Sequence, residues 1–242
     1  MGKVMYMRKG EFHKAPLTGI LANEIAVGSS VYLNENGTPA EYLVVHKGLP
    51  SSMYDESCNG LWLLRKDCYE NKQWHSSNVN SYKDSTIHSH LNSDFLNVFD
   101  TKTQRAIKQA KIPYVNGTGS GGSVASGANG LRTKIFLLGG YEIGWNQGNN
   151  GSIPIDGSKL DYFSSGTATA ANKLRTAYLN GSGAIWWTRS PSASTTNKTF
   201  IVALSGGIAT DDPADLSSVR PAMILPTNAV FDKDTLVLKG IA

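Results

Sequence analysis

The chain has 242 residues, of which 40% are hydrophobic, 9% aromatic and 17% charged, and its net charge is +4. The 25 glycines follow no period, and the aromatic content is too high and the charged fraction too low for a collagen, a disordered polymer or a coiled coil. No run of 18 apolar residues predicts a membrane span, and the first residues lack the apolar core of a secretory signal.

The N-terminal part of the chain predicts an extension, residues 1–25, ahead of a single domain, residues 26–242. The extension combines basic residues with a short apolar run at positions 4–7, a pattern that fits attachment or pairing with a neighbouring subunit as well as a solvated terminus that stays mobile. Basic arms also bind nucleic acid, but this one has no interleaved aromatic side chains that would stack on bases. We therefore expect no nucleic-acid partner.

The first elements of the domain are predicted to be strands. Residues 26–48 are typical of a hairpin, because Asn36-Gly37 supplies the left-handed backbone of a tight turn between two apolar runs. Residues 60–67 form a third apolar run of strand length.

Two helices are predicted next. Ile87, Leu91 and Phe95 recur at helical spacing within residues 85–99, and Thr101 with Gln104 forms a capping-box pattern that starts a second helix. Residues 111–115 are expected to be extended. Residues 116–130 are rich in glycine but lack the lysine and hydroxyl residue of a phosphate loop, which favours a plain surface loop.

The remaining sequence is predicted to be mainly strand. Residues 131–144 are typical of either a strand or a short helix, and a helix is predicted over 167–182, ending near Asn180-Gly181. Apolar runs then predict strands at 184–191, 200–210 and 218–226, with two short strands after them.

Candidate chemical residues are few. His88 and His90 diverge on a helix and do not form a zinc pair, and the aspartates of residues 211–215 lack the bidentate Glu of a calcium loop, which leaves at most a weak calcium contact. Cys58 and Cys68 fit either buried thiols or a disulfide. No nucleophile or cofactor motif occurs, so we expect a protein that is not an enzyme and has no metal or cofactor.

A cluster of large side chains stands near the C-terminus. Trp186, Trp187 and Arg189 share one predicted strand, and Arg220 lies on another. Such residues can line a ligand groove, but large aromatics on central strands more often fill the core, and an arginine between them ties loops through its guanidinium. The structural role is the favoured interpretation.

These motifs resemble a bacterial and phage domain family whose hallmarks are a WWLRSP strand and a closing GVRPA strand. The resemblance spans about residues 27–226. The residues that carry it are Ser85, Ile87, Leu91, Asn92 and Phe95, then Trp186 to Pro191, Val202 to Gly207 and Val219 to Ala222. The chain departs from the family pattern at His90, Thr188 and Ser218, which are tolerable packing changes.

The resemblance implies a fold, a setting and a function. The fold is α+β and C-type-lectin-like, related to the formylglycine-generating enzymes, whose copper-site cysteine pair this chain does not have in the corresponding region. Family members are common in gut Firmicutes and their prophages, often among tail or baseplate genes. The implied product is a virion protein that is made in the bacterial cytoplasm and contacts other virion proteins, copies of itself or the host surface.

The expected binding site lies in two loops, residues 192–199 and 208–217, which would project beside the WWTRSP strand and recognise a host glycan or protein. A purely structural decoration or assembly role in the virion is the alternative. The candidate ligand-binding residues are Ser194, Thr195, Thr196, Asn197, Asp211, Asp212 and Asp215, together with Trp145 and Tyr162 as stacking partners for a sugar.

Overall fold

The structure is a computed structural model that describes residues 17–116, 122–165 and 167–242. Strands predominate, with 35% of residues in strands and 16% in helices. The predicted α+β class is therefore confirmed.

The strands are short. In chain order they are β1 (Ile20–Leu21), β2 (Ser30–Glu35), β3 (Thr38–Gly48), β4 (Gly60–Arg65), β5 (Asn71–Gln73), β6 (Ala110–Ile112), β7 (Tyr114–Asn116), β8 (Ser123–Ala125), β9 (Leu131–Thr133), β10 (Ile135–Phe136), β11 (Ala177–Leu179), β12 (Ser182–Ala184), β13 (Trp186–Pro191), β14 (Thr199–Val202), β15 (Ile208–Asp211), β16 (Leu216–Ser218), β17 (Ala222–Leu225), β18 (Ala229–Phe231) and β19 (Leu238–Ile241).

The helices are also short. The α-helices are α1 (Thr86–Leu91), α2 (Thr101–Ala106) and α3 (Ala168–Arg175). Single 3₁₀ turns lie at Ala22–Glu24, Glu56–Cys58, Leu96–Val98, Gly127–Asn129 and Asp161–Phe163.

The first large sheet has the strand order β10-β17-β4-β3-β2. Its β2–β3 hairpin turns at Asn36 and Gly37, whose φ values of 50° and 82° are the left-handed pair that the sequence predicted. The side chains of β4 are buried up to Leu64, so this strand lies in the centre of the molecule.

The second large sheet has the order β15-β14-β13-β16-β5 and contains the WWTRSP segment as β13. Strand β13 pairs antiparallel with β14 and parallel with β16. All six residues of β13 are buried, which makes it the rigid centre of the sheet.

The expected boundary between extension and domain is wrong by several residues. Ile20 and Leu21 form β1, which pairs with β18, and Ala22 is fully buried. Residues 17–25 therefore belong to the domain, because their backbone completes a sheet with β18 and β19. Residues 1–16 lie outside the described part of the chain.

The predicted helix over residues 85–99 is only partly formed. Helix α1 ends at Leu91 because the Asn92 side chain caps it, donating from Nδ2 to the carbonyls of His88 and Ile135 at 3.0 and 2.9 Å. The Oδ1 atom of Asn92 also accepts the backbone N–H of Lys134 at 2.9 Å, which joins the helix end to the start of β10.

Two other helix predictions need correction. Helix α2 has Asp100 and not Thr101 as its N-cap, since the Asp100 carboxylate accepts the Thr103 N–H at 2.7 Å. Helix α3 ends at Arg175, and Asn180-Gly181 is instead the turn between β11 and β12, with φ values of 52° and 81°. Residues 117–121 of the predicted glycine-rich loop lie outside the described residues.

One hydrophobic core joins the two large sheets. Trp62 and Phe136 from the first sheet and Trp186 and Trp187 from the second are fully buried members of the same cluster. In the described ranges, no helix has the length and apolar character needed to cross a membrane.

Candidate functional site

The two tryptophans of β13 and Arg220 form a buried cluster against the second sheet. The Trp186 and Trp187 indole N–H groups donate to the carbonyls of Arg175 and Lys72 at 2.9 and 2.8 Å. Arg220 lies over the Trp186 ring at 5.1 Å, and its three guanidinium nitrogens donate to carbonyls of Arg65, Lys66 and Arg175. These side chains are at most 1% exposed, so they hold the backbone together and offer no open groove, as the sequence analysis favoured.

Arg189 occupies the centre of a second buried network. It forms a two-pronged ion pair with Glu142 at 2.5 and 2.7 Å and also donates to the carbonyls of Pro113, Leu137 and Asp156. The Tyr54 hydroxyl donates to the same Glu142 carboxylate at 2.8 Å. The network is closed to solvent, with Arg189 1% and Glu142 0% exposed.

Asp156 is a second carboxylate beside the same guanidinium. Its Oδ2 accepts the Ser190 hydroxyl at 2.8 Å, whereas its buried Oδ1 has no hydrogen-bond partner among the described residues. Burial raises the pKa of Asp156 to about 6, although the nearby Arg189 acts in the opposite direction.

The predicted binding segments leave the same end of the second sheet. Thr199 at the start of β14 pairs with both Pro191 and Asp211, so the β13–β14 connection and the segment after β15 emerge side by side. Residues 208–211 and 216–217 are themselves strand, which reduces the irregular segments to residues 192–198 and 212–215. We call these two segments the paired loops.

The side chain of Asn80 holds the backbone of the first paired loop, residues 192–198. Its side-chain amide donates to the carbonyls of Ser192, Thr195 and Lys198 at 3.3, 2.9 and 2.8 Å, and Asn80 itself is 1% exposed. The Ser192 N–H donates to the Lys198 carbonyl at 2.9 Å and closes the base of the loop. The backbone of this loop is therefore held in one conformation.

The tip of that loop presents its side chains to solvent. Thr195, Thr196 and Asn197 are exposed, and their side chains make no hydrogen bond to any residue that the structure describes. Ser194 is also exposed, but its hydroxyl bonds to that of Ser152 at 2.8 Å. Hydroxyl and amide groups on a fixed backbone are suited to hydrogen-bonded recognition.

An ion pair joins the two loops. Lys198 Nζ lies 2.8 Å from Asp212 Oδ1, so Asp212 is engaged in holding the loops together. Partial burial, together with the neighbouring Asp215 carboxylate, raises the pKa of Asp211. Of the three predicted aspartates, only Asp215 is classed as exposed.

Of the two aromatic residues expected to stack on a sugar, Trp145 is covered by other side chains and Tyr162 is half-buried. Trp145 is only 4% exposed, and the Arg175 guanidinium lies over its ring at 5.6 Å. Tyr162 is half-buried in the 3₁₀ turn Asp161–Phe163, which contacts β3, and it packs edge-on against Phe163 with ring centroids 5.2 Å apart. The prediction that Trp145 stacks on a sugar is therefore wrong, because its ring is already covered.

Both cysteines are buried free thiols, and they do not form a disulfide. Burial raises the pKa of Cys58 to about 12 and that of Cys68 to about 11. Within the described residues, no group of three or more His, Cys, Asp or Glu side chains is arranged to hold a metal ion.

A groove of about 460 Å³, lined by both polar and apolar residues, lies on the second sheet near Asp211. Its exposed apolar residues are Ile185, Leu204 and Leu216, with exposed fractions of 37%, 59% and 70%. Side chains of this size and exposure that share one groove are typical of contact surfaces between proteins.

Sequence reasoning did not identify the residues that hold these surfaces. Asn80 and Glu142 are far in sequence from the loop and the arginine that they bind, and neither belongs to a motif. For Asn80 the sequence offers one signal, the polarity of residues 75–81 between apolar segments. This polarity predicts a turn but does not indicate which residues Asn80 binds.

Comparison with known proteins identifies the family. Residues 59–227, which extend from the residue before β4 to just beyond β17 and include the paired loops, match the family described as "Domain of unknown function (DUF6273)". No curated protein and no solved structure matches the chain. Because the family match covers more than two thirds of the 242 residues, the chain belongs to the DUF6273 family.

Proposed function

We propose that this chain is a non-enzymatic virion protein of a phage or prophage, on its tail, baseplate or fibre, that recognises the host surface through the paired loops. The observation that carries the binding role is the exposed Thr195–Thr196–Asn197 tip on a backbone that Asn80 holds by three hydrogen bonds. A fixed loop loses little conformational entropy on binding, which favours affinity. The virion setting rests on the sequence resemblance, as does a C-type-lectin-like scaffold.

Burial of the titratable cluster supports a function without catalysis. Tyr54, Glu142, Asp156 and Arg189 are brought together by the fold, but none is more than 3% exposed. Catalytic groups must come within hydrogen-bond reach of a substrate. This cluster is closed to one, and its ion pair and backbone contacts serve stability.

Attachment to whole cells tests the proposal. Labelled protein is incubated with the Firmicutes cells expected as hosts, and the bound fraction is compared with that of a variant carrying Thr195→Ala, Thr196→Ala and Asn197→Ala. These side chains are exposed and make no described hydrogen bond, so the variant is expected to fold normally but to lose most of its attachment.

The matched control is Lys233→Ala with Asp234→Ala, an ion pair whose side chains are 74% and 72% exposed in a turn before β19. It also changes exposed side chains, and it is expected to leave attachment unchanged. Attachment that survives the triple loop change removes the paired loops from the proposal.

The three exposed apolar side chains of this groove, Ile185, Leu204 and Leu216, favour a second candidate, an assembly role in which the chain contacts another copy of itself through them. Sedimentation of the wild type and of a Leu204→Ser, Leu216→Ser variant tests it. Self-association that disappears in the variant, while cell attachment persists, assigns the groove to assembly. A wild type that stays monomeric at high concentration rejects this candidate.

A further inference from the structure

A second surface, separate from the paired loops, lies where helix α3 meets the β14–β15 hairpin. Here Gly144 to Asn146 with Asn149, one face of α3, and Gly207 with Ile208 line a cleft of about 470 Å³, a volume typical of sites for small ligands. Gly207 and Ile208 are at the opposite end of the hairpin from the paired loops, which follow Asp211 and precede Thr199. The cleft is therefore a distinct site.

The face of α3 that lines the cleft ends in Arg175. Ala168, Ala171, Asn172 and Arg175 recur at helical spacing and all line the cleft, and so does the N-cap residue Thr167. Arg175 is the only charged residue among the described residues that line the cleft.

Arg175 differs from the other two buried arginines in one respect. Arg189 and Arg220 use all three guanidinium nitrogens in hydrogen bonds. Arg175 donates from Nε to Ile143 and from Nη1 to Asn172 and Gly206, whereas its Nη2 has no partner among the described residues. This nitrogen lies beside Gly144, another lining residue, although Arg175 as a whole is only 4% exposed.

No carboxylate of the described residues lies within ion-pair distance of Arg175, and no lining residue is acidic. Burial lowers the pKa of Arg175, but a guanidinium remains charged in proteins. All the partners of the Arg175 guanidinium are neutral, namely the groups that accept its three hydrogen bonds and the Trp145 ring, so its charge is only partly offset, and an external anion would supply the missing counter-charge.

The rest of the lining consists of neutral hydrogen-bonding groups, among them Asn146, Asn149 and Ser165. One cation surrounded by amides and hydroxyls suits a ligand with a single negative charge and several hydroxyl groups. We propose that this cleft binds a monoanionic polyol, the chemistry that acidic sugars share with polyol phosphodiesters.

The test compares three small probes in solution by nuclear magnetic resonance titration of the full chain. Methyl glucuronide supplies the carboxylate, glycerophosphoglycerol supplies the phosphodiester, and methyl glucoside is the neutral counterpart. At least one anion is expected to shift the amide signals of Gly144 and Gly207 and to bind roughly tenfold or more tightly than the glucoside. Tighter binding of the glucuronide would identify an acidic sugar as the ligand class, and tighter binding of glycerophosphoglycerol would identify a polyol phosphodiester.

Asn172→Asp is the informative variant. Its Oδ1 keeps the contact with Arg175 Nη1 at 2.8 Å, but it adds the internal carboxylate that the cleft lacks. The variant is expected to fold with unchanged or higher thermal stability and to lose anion affinity roughly tenfold or more. Asn36→Asp, at the exposed β2–β3 turn, makes the same change of net charge and is expected to bind like the wild type.

Three results overturn the proposal: equal binding of the glucoside and the anions, no binding of either anion, or anion binding that Asn172→Asp leaves intact. None of these results affects the paired loops, whose test uses whole cells and different residues. Loss of cell attachment in the Thr195, Thr196 and Asn197 variant likewise leaves this inference standing.

Discussion

At the scale of single residues, Asp156 is a carboxylate in excess of the positive charge in the buried network. Arg189 is already paired with Glu142 through two hydrogen bonds, so the ionised Asp156 leaves the cluster with a net negative charge away from water. The folded protein consequently binds a proton at Asp156 more readily than the unfolded chain does, since burial raises the pKa from 3.8 to about 6.

This shift predicts a stability difference that depends on pH. A raised carboxyl pKa means that the folded state binds more protons between about pH 4 and pH 6, so the contribution of Asp156 to the free energy of unfolding falls as the pH rises through that window. The Asp156→Asn variant lacks this titration. Between pH 3.5 and pH 7.5, its free energy of unfolding relative to wild type is expected to rise by about 3 kcal/mol.

Urea unfolding of both proteins at the two pH values measures this difference directly. Any packing cost of the new amide cancels, because it is present at both pH values. A difference that stays constant across the window would show that Asp156 keeps an ordinary pKa in the folded state.

Unlike the charge of Asp156, the charge of Glu142 is expected to stabilise the folded protein. The change Glu142→Gln removes the only described carboxylate that hydrogen-bonds the Arg189 guanidinium and leaves Asp156 as a neighbouring charge without such a bond, so we expect it to lower the free energy of unfolding by roughly 3 kcal/mol at pH 7. Adding Arg189→Met to that variant is expected to recover part of the loss, since the guanidinium that lost its bonded carboxylate is removed. Denaturant titration of the single and double variants provides the comparison, and strictly additive losses would contradict it.

At the scale of elements, the turn of the β14–β15 hairpin is held against helix α3. Gly206 has a φ of +78°, and a Cβ atom built on it would lie 1.9 Å from the Asn172 carbonyl oxygen. A side chain at this position must therefore separate the hairpin from the helix, which would also change the cleft that they form.

Two alanine substitutions separate the steric contact from the backbone strain. Gly181→Ala, with φ +81° and no atom within 4 Å of the new Cβ, has only the left-handed backbone to oppose it and is expected to cost roughly 1 kcal/mol. Gly206→Ala adds the clash, and we expect a loss of about 2–4 kcal/mol in the free energy of unfolding. Equal losses in the two variants would mean that the helix moves aside freely.

The first of the paired loops depends on one side chain outside it. In Asn80→Ala the carbonyls of Ser192, Thr195 and Lys198 lose the side-chain amide that joins them, and of the three only Lys198 keeps the backbone bond from the Ser192 N–H, so amide exchange across residues 193–198 is expected to accelerate roughly tenfold or more. Exchange in β4, which lies in the other large sheet, is expected to change far less and is the internal control. Unchanged exchange in the loop would show that its backbone hydrogen bonds and the Lys198–Asp212 ion pair fix it without the Asn80 side chain.

Local chemistry made some elements predictable and left others hidden. The Asn36-Gly37 turn follows from its own two residues, but Asn180-Gly181 has the same left-handed backbone, and the sequence cannot distinguish a helix end from a hairpin turn there. Helix α1 stops early because Asn92 bonds to Ile135, a residue 43 positions away. The tryptophans and arginines near the C-terminus were predictable as core, whereas their partners Glu142 and Lys72 were not, because such contacts are made only in the folded chain.

At the scale of the whole molecule, both large sheets contribute to one buried cluster, and this cluster contains Cys58 and Cys68. The two thiols are 0% and 3% exposed, and their raised pKa values of about 12 and 11 leave almost no thiolate at neutral pH. A thiol reagent can therefore reach them only when the core opens. If the core is a single cooperative unit, both thiols must become reactive in the same event.

Labelling with a chromogenic disulfide reagent tests this cooperativity in Cys58→Ala and Cys68→Ala variants, each of which reports the remaining thiol. Both thiols are expected to react in proportion to the globally unfolded population, and the reaction rates should increase with urea along the slope that equilibrium unfolding gives. Cys58 lies just before β4, and Cys68 lies just after it. If Cys68 alone reacts at a rate that does not depend on urea, the chain after β4 opens locally while the two sheets remain folded. Equal slopes for both thiols would instead establish the two sheets as one folding unit.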